Sequence, residues 1–212
     1  MQKVNLILAS GSPRRREILT QGGFDFTVLT SETDEKTDAP DPEEKVRLLS
    51  QKKAEAVCER LKREGEAIGR EKAGTAGPQS RKGTAVVGAD TLVACDGKVL
   101  GKPGSREEAI RMITLLQGHT HEVYTGVTVH LYENGTERSF TFCEKTQVHV
   151  APMTGADIEE YVDTKEPYDK AGGYGIQGRF AMYVDRIDGD YYTVVGFPLA
   201  RFCREMRKKG LM

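Results

Sequence analysis

Leu6-Ile7-Leu8-Ala9-Ser10-Gly11-Ser12-Pro13-Arg14-Arg15-Arg16-Glu17-Ile18-Leu19 decides how this chain is read. Four apolar residues open it, glycine, serine and proline interrupt it, and apolar residues then return at helical spacing. The pattern predicts a strand, a tight turn and a helix. Ser12 suits the N-cap. Pro13 suits the first helical position, because its ring presets φ and it lacks the amide hydrogen that would go unpaired there. Arg14, Arg15 and Arg16 then break a local rule. They fall in the first turn, where the helix dipole and free amides favour negative charge, so each cation costs roughly a few tenths of a kcal/mol. A phosphate between these guanidiniums and the amides would turn the conflict into an anion site; a surface helix with its arginines in water would satisfy the same residues. A P-loop is excluded, since no Gly-x-x-x-x-Gly-Lys-Ser/Thr occurs.

Beyond this unit, Phe24 to Leu29 predicts a second strand and Thr30 to Asp41 an acidic loop. Asp41-Pro42-Glu43-Glu44 announces a helix, with Asp41 as cap and Glu44 three residues on. Val46, Leu49 and Val57 share one face of it, and Lys53 lies on that face. Either its stem packs there while the ammonium reaches water, or a cation is aimed into a cleft. The helix fades by about Gly65, and residues 65–83, polar and glycine-rich around Gly77-Pro78, read as a mobile surface insertion. Thr84 to Leu92 predicts a buried strand and Asp96-Gly97 a two-residue hairpin. Ser105 and Glu108 cap a helix whose apolar face is Ala109, Met112, Ile113 and Leu116, ended by Gly118. A second hairpin pairs His121 to Tyr132 with Arg138 to Val150 around Asn134-Gly135, and Thr154 to Thr164 reads as a short helix. A third turns at Asp188-Gly189, with arms Phe180 to Ile187 and Tyr191 to Val195. Pro198 starts a C-terminal helix to about Lys209. Strand-helix units mixed with antiparallel hairpins indicate one domain of α/β or α+β class with a mixed sheet.

With 212 residues, 38% of them hydrophobic and 30% charged, and a net charge of -1, the chain has no bulk attraction for nucleic acid or membrane. No apolar run approaches the roughly 20 residues of a membrane span, and no signal-peptide stretch is apparent, so the cytoplasm is the expected compartment. Cys58, Cys95, Cys143 and Cys203 are far apart, with neither Cys-x-x-Cys nor zinc-ligand spacing, and are expected as free thiols.

Several residues could carry chemistry. Asp90 is expected at the end of the apolar run Val86-Val87-Gly88-Ala89, beside a glycine that leaves room for a ligand, although an aspartate there could simply cap a turn. Glu32, Asp34 and Glu35 could hold a hard divalent ion on an acidic loop, or be merely solvated. Lys102 follows a glycine beyond the first hairpin and is a candidate phosphate contact. Gly173, Gly175 and Gly178 satisfy Gly-x-Gly-x-x-Gly, but a polar stretch precedes them and a strand is expected after them. That context rejects a dinucleotide fingerprint. What remains is a compact loop carrying Asp169, Lys170 and Gln177. His119, His121, His130 and His149 are assigned to hairpin surfaces.

Leu-Ala-Ser-Gly-Ser-Pro-Arg-Arg at 8–15, Gly-Ala-Asp-Thr at 88–91, Gly-Lys-Pro at 101–103, Asp-Lys-Ala-Gly at 169–172 and Gly-Ile-Gln-Gly at 175–178 together resemble the Maf family. These are nucleoside triphosphate pyrophosphatases once described as septum-formation inhibitors. The likeness runs nearly end to end in family order. It implies a twisted mixed sheet flanked by helices, in two lobes with a central cleft, similar to inosine triphosphate pyrophosphatases, and a homodimer. It places Ser10, Arg14 and Arg15 on the triphosphate, Glu35 and Asp90 at a metal and the attacking water, and Lys53 and Lys102 in the same cleft. Asp90 would accept the proton. Arg14, Thr91 and Gln177 resemble the selective positions of the branch acting on dTTP and UTP; the branch acting on 7-methyl-GTP differs at the latter two. The insertion and Arg179, directly after the loop, depart from the family pattern.

The expected reaction is hydrolysis of a pyrimidine nucleoside triphosphate to the monophosphate and pyrophosphate, with magnesium or manganese assisting. A non-catalytic nucleotide-binding regulator of cell division, or a pyrophosphatase for 7-methyl-GTP or another purine triphosphate, are the competing expectations.

Overall fold

The structure, a computed structural model, describes residues 2–30, 33, 37–64, 83–133 and 135–212. Among them are strands β1 (Asn5–Leu8), β2 (Phe26–Val28), β3 (Thr84–Cys95), β4 (Lys98–Leu100), β5 (Thr120–Glu133), β6 (Thr136–Val150) and β7 (Val184–Asp188). The helices are α1 (Pro13–Gln21), α2 (Pro42–Arg63), α3 (Arg106–Leu116), α4 (Gly155–Asp163), α5 (Tyr191–Val195) and α6 (Leu199–Lys208). The strands form one sheet in the order β2-β1-β3-β5-β6-β7, with β4 on β3. β1 is parallel to β2 and β3, whereas β4 is antiparallel to β3 and β7 to β6. This is the mixed sheet that strand-helix units combined with hairpins predict. The chain divides into two compact units, and β3, β5 and β6 each contribute residues to both.

The first unit comprises Met1–Asp90, Gly126–Cys143 and Phe197–Met212. β1 lies between parallel neighbours, burying Leu6 and Leu8 on one face and packing the half-buried Ile7 against a core cluster on the other. α2 begins where Asp41 accepts a hydrogen bond from the Glu44 amide at 2.9 Å, and it buries Val46, Leu49, Ala54, Val57 and Leu61. Two glycines let it come down onto the strands. A Cβ on Gly88 would lie 2.3 Å from the Ser50 carbonyl oxygen, and one on Gly126 would lie 2.4 Å from that of Val46. Backbone therefore meets backbone, closer than any side chain permits. A buried hydroxyl relay ties the same helix to β5 and β6. The Ser50 hydroxyl donates to the Arg47 carbonyl at 2.8 Å, so Thr128 must donate to Ser50, at 2.8 Å, and Thr141 to Thr128, at 2.9 Å. α6 closes the unit by placing Phe202 against Phe24 and Phe197.

The second unit comprises Thr91–Thr125 and Glu144–Gly196. Its core gathers Val93, Ile113, Leu116, Val148, Tyr161, Val162, Tyr174 and Phe180. Asp96 (φ 48°) and Gly97 (φ 72°) make the two-residue turn between β3 and β4, as predicted from the Asp-Gly pair.

The structure corrects several expectations. β3 does not stop near Asp90; it continues to Cys95, because Val93, Ala94 and Cys95 are buried and pair with β4. Gly83 is not part of a surface insertion. It is buried, accepts a hydrogen bond from the Asn5 amide at 2.8 Å, and leads into β3. Residues 65–82 lie outside the described residues, as does Asn134 of the second hairpin turn. The third hairpin has only one strand. Arg179–Tyr183 is a 3-10 turn before β7, and Tyr191–Val195 is the helix α5. Asp190 decides this by accepting from both the amide and the hydroxyl of Thr193, a capping geometry that outweighs the β-propensity of the tyrosines and valines.

His121 is the clearest reversal. It is 1% exposed rather than on a hairpin surface, with Nε2 at 2.7 Å from the Tyr174 hydroxyl and Nδ1 without a partner among the described residues. Burial, with the nearby His149 as a lesser cause, lowers its pKa to about 4.

Two measurements check this architecture. Gly88→Val should destabilise the chain by about 2–4 kcal/mol in urea denaturation, because the obstructing atom is backbone. Gly155→Ala, whose Cβ meets open space, should be close to neutral. His121 gives a pH signature. Below its ordinary value of 6.5 the unfolded chain takes up a proton that the folded chain refuses until about pH 4, so stability falls as pH drops through that window. The loss at about pH 5 should be about 2 kcal/mol, and His121→Gln should flatten that part of the stability profile.

Candidate active site

The first unit assembles a site where its parallel strands end unequally. β1 stops at Leu8, opposite Val87, while β3 runs on, and the Ala9 amide still donates to the Val87 carbonyl at 2.8 Å. Ser10 and the first turn of α1 thus follow the carboxyl end of β1, and Asp90 lies three residues beyond Val87 on the part of β3 that continues past that end, the edge at which open α/β sheets place ligands.

Ser10 is 8% exposed, and its Oγ accepts from the Ser12 amide at 3.3 Å and from Arg15 Nη1 at 3.1 Å. Pro13 does occupy the start of α1, but the hydroxyl of Ser12 makes no capping bond, and no acidic residue lies in the first turn. Arg14 and Arg15 are half-buried and Arg16 is exposed.

Asp90 is 9% exposed, and its Oδ1 accepts from Lys53 Nζ at 2.5 Å. The Lys53 side chain keeps only 16% of its surface in water, so it does not snorkel free of the structure. The geometry follows from the glycine. Gly88 and Asp90 face the same way along β3, and Gly88 lies against the backbone of Ser50 and Ala54, which brackets Lys53 on α2. Two largely desolvated opposite charges gain little net stability over an apolar pair, so their presence points to use rather than to folding.

Thr91 belongs to the second unit. Its neighbour Thr125 donates to the Thr193 carbonyl at 2.8 Å, so the Thr91 hydroxyl donates to Thr125 at 2.9 Å. Lys102 is exposed just after β4. Its loop is fixed to the glycine-rich segment through the Gly172 amide, which donates to the Gly101 carbonyl at 3.0 Å. Lys170 Nζ is held by Asp169 at 2.5 Å and by the Glu166 carbonyl at 2.7 Å, and Gln177 is exposed. Gly173 ends one 3-10 turn and Gly178 caps a second, Arg179–Tyr183, where the sequence predicts a strand directly after the glycines; no strand leads into the segment and no α-helix opens from it.

The structure therefore joins Lys53 to Asp90, Ser10 to Arg15 and Asp169 to Lys170. Glu35, together with Glu32 and Asp34, lies outside the described residues. Among the described residues no three His, Cys, Asp or Glu side chains form a metal cluster. Among the described residues, Asp90 presents a hard carboxylate oxygen, Oδ2, on the part of β3 beyond the end of β1. That suffices for a cation held by one or two carboxylates with substrate phosphates and water. Sequence reasoning passed over Glu166, whose carboxylate lies against Gly178. Its position at the head of a segment with four glycines was the available signal.

The pair makes a testable statement. Lys53→Met leaves the Asp90 carboxylate buried without its counter-ion and should cost about 1–3 kcal/mol, whereas Lys53→Met with Asp90→Leu should cost less than the single change. Urea denaturation of the four chains of this double-mutant cycle measures the difference.

The family model described as Maf-like protein matches residues 5–209. A dTTP/UTP pyrophosphatase of Lachnoclostridium phytofermentans is 44% identical over 97% of this chain and 95% of its own length. One from Agathobacter rectalis is 43% identical over 97% and 98%, and one from Carboxydothermus hydrogenoformans is 42% identical over 98% and 100%. With the arginine-bearing turn, the Lys53–Asp90 pair and the glycine-rich segment all lying inside the matched span, the chain belongs to the Maf-like protein family.

Proposed function

We propose that this chain hydrolyses dTTP and UTP to the nucleoside monophosphate and pyrophosphate. The observation that carries the reading is the ion pair of Lys53 and Asp90 beside the cationic first turn of α1. Its support is a chain 42–44% identical, along nearly its whole length, to relatives described as dTTP/UTP pyrophosphatases.

Ser10, Arg14, Arg15 and the first amides of α1 hold the triphosphate, with bidentate guanidinium contacts supplying orientation as well as charge. Lys53 holds Oδ1 of Asp90 and so orients the carboxylate that accepts the proton of the attacking water. The water oxygen bonds to the α-phosphorus as the bond to the bridging α–β oxygen breaks, and pyrophosphate leaves. Arg14, Arg15, Lys53 and Lys102 neutralise the charge that builds on it, the largest contribution expected in a reaction with so little covalent work for the protein. The family likeness assigns Thr91 and Gln177 to the choice of a pyrimidine, with Asp169 and Lys170 as further substrate-binding residues.

Asp90 would hold a divalent cation, with Glu35 as a second carboxylate. Magnesium or manganese held there would supply Lewis acidity to the phosphates and to the attacking water. A homodimer completes the proposal and rests on the family likeness alone; the cytoplasm is the compartment expected from the composition.

Pyrophosphate release across a panel of nucleoside triphosphates, with and without a chelator, tests the reading. dTTP and UTP should give the highest kcat/KM, and chelation should abolish it. Asp90→Asn should lower kcat about 10³-fold while nucleotide binding persists. Unchanged release by that variant removes Asp90 from its role. A preference for 7-methyl-GTP or inosine triphosphate removes the pyrimidine assignment.

A further inference from the structure

The segment from Glu166 to Arg179 contains four glycines, two of them, Gly172 and Gly173, at φ 72°. A chain so poor in side chains loses much conformational freedom on ordering and needs something to hold it. Glu166 meets that need from both ends of its side chain. Its Oε1 accepts from the Tyr161 hydroxyl at 3.2 Å and its Oε2 from the Arg179 amide at 3.0 Å. Its backbone carbonyl takes Lys170 Nζ at 2.7 Å.

Between these anchors, the Gly178 amide donates to the Gly175 carbonyl at 3.1 Å, closing a tight turn with Gln177 at its exposed tip. Both glycines of the turn are in close contact with the clamp. A Cβ on Gly178 would lie 2.2–2.3 Å from the carboxyl group of Glu166, and one on Gly175 would lie 2.7 Å from Lys170 Cε. The turn therefore rests directly on the carboxylate and on the lysine stem. Burial, and secondarily the charge of Glu166, raises the pKa of Tyr161, so this phenol keeps its proton and donates.

We propose that Glu166 is a positioning residue for the nucleotide: its carboxylate holds the turn that presents Gln177 and the lysine Lys170, and thereby sets the affinity for substrate. The substrate part rests on the pyrimidine triphosphate reading above. Glu166 itself touches no reacting atom. Its work needs hydrogen-bond geometry rather than negative charge, because a glutamine could accept from the Arg179 amide through its oxygen and donate to Tyr161 Oη through its nitrogen.

The experiment compares the native chain with Glu166→Ala, Glu166→Gln, Gly178→Ala and the double variant Glu166→Ala with Gly178→Ala. Steady-state kinetics with UTP are measured alongside hydrogen exchange of the amides of residues 175–179. Glu166→Ala should raise KM about tenfold with kcat within about twofold, and should speed exchange of these amides. Glu166→Gln should stay within about threefold of native. Gly178→Ala should raise KM by displacing the carboxylate, yet add nothing to Glu166→Ala, since both remove one clamp. An unchanged KM in Glu166→Ala, a glutamine as damaging as alanine, or additive effects of the two substitutions would each overturn the proposal. If the native chain releases no pyrophosphate from UTP, the pyrimidine reading fails by itself. Exchange then decides Glu166, and unaltered exchange in Glu166→Ala overturns its role.

Discussion

Direct backbone contact between α2 and the strands at Gly88 and Gly126 is the constraint on which the first unit depends. Neither position has room for a methyl group, so the helix lies closer to the sheet than ordinary side-chain packing allows. That closeness buries Ser50 far enough for its hydroxyl to meet Thr128, and it brings the stem of Lys53 past the helix face to Asp90. The hydroxyl relay through Thr141 then fastens the same helix to β6. Loss of the contact at Gly88 would move packing, polar satisfaction and the ion pair together.

The ion pair in turn explains why so much order is spent near one strand edge. A carboxylate and an ammonium that are both largely removed from water must satisfy each other, and their mutual orientation is fixed by elements that cannot slide. The cationic first turn of α1 completes the same logic from the other strand. That turn carries three arginines, no acidic side chain and no cap from Ser12, a composition that suits it to an anion. The second unit works differently. There the polar side chains lie on turns, and capping aspartates, threonines and Glu166 hold backbone that glycine leaves loose.

Much of this was legible in the residues. The strand-turn-helix at Leu6 to Leu19, the caps at Asp41 and Ser105, and the Asp96-Gly97 hairpin all depend on neighbours within a few positions, and local pattern suffices to read them. The failures share another cause. Tyr191 to Val195 has the composition of a strand, but Asp190 and Thr193 form a cap and Thr146 grips the backbone of Asp190 from β6, a contact 44 residues away. Asp90 reads as a strand end because the apolar run before it is short; what continues β3 is the core that receives Val93 and Cys95. His121 carries no sequence sign of burial. Its place follows from Tyr174, which packs against Phe180.

By itself, the sequence determined the class of fold, the family likeness and the residue types available for binding an anion, because periodicity, caps and short motifs are properties of nearby residues. It named Lys53 as a lysine out of place on an apolar face and Asp90 as a carboxylate beside a glycine. Only the tertiary structure decided that these two belong to each other, since their 37-residue separation is closed by a helix whose depth on the sheet is set by glycines on two different strands. It also decided that Glu166 lies beneath the Gly175 to Gly178 turn. Such pairings are set by how densely the chain packs, and no window of sequence contains that information.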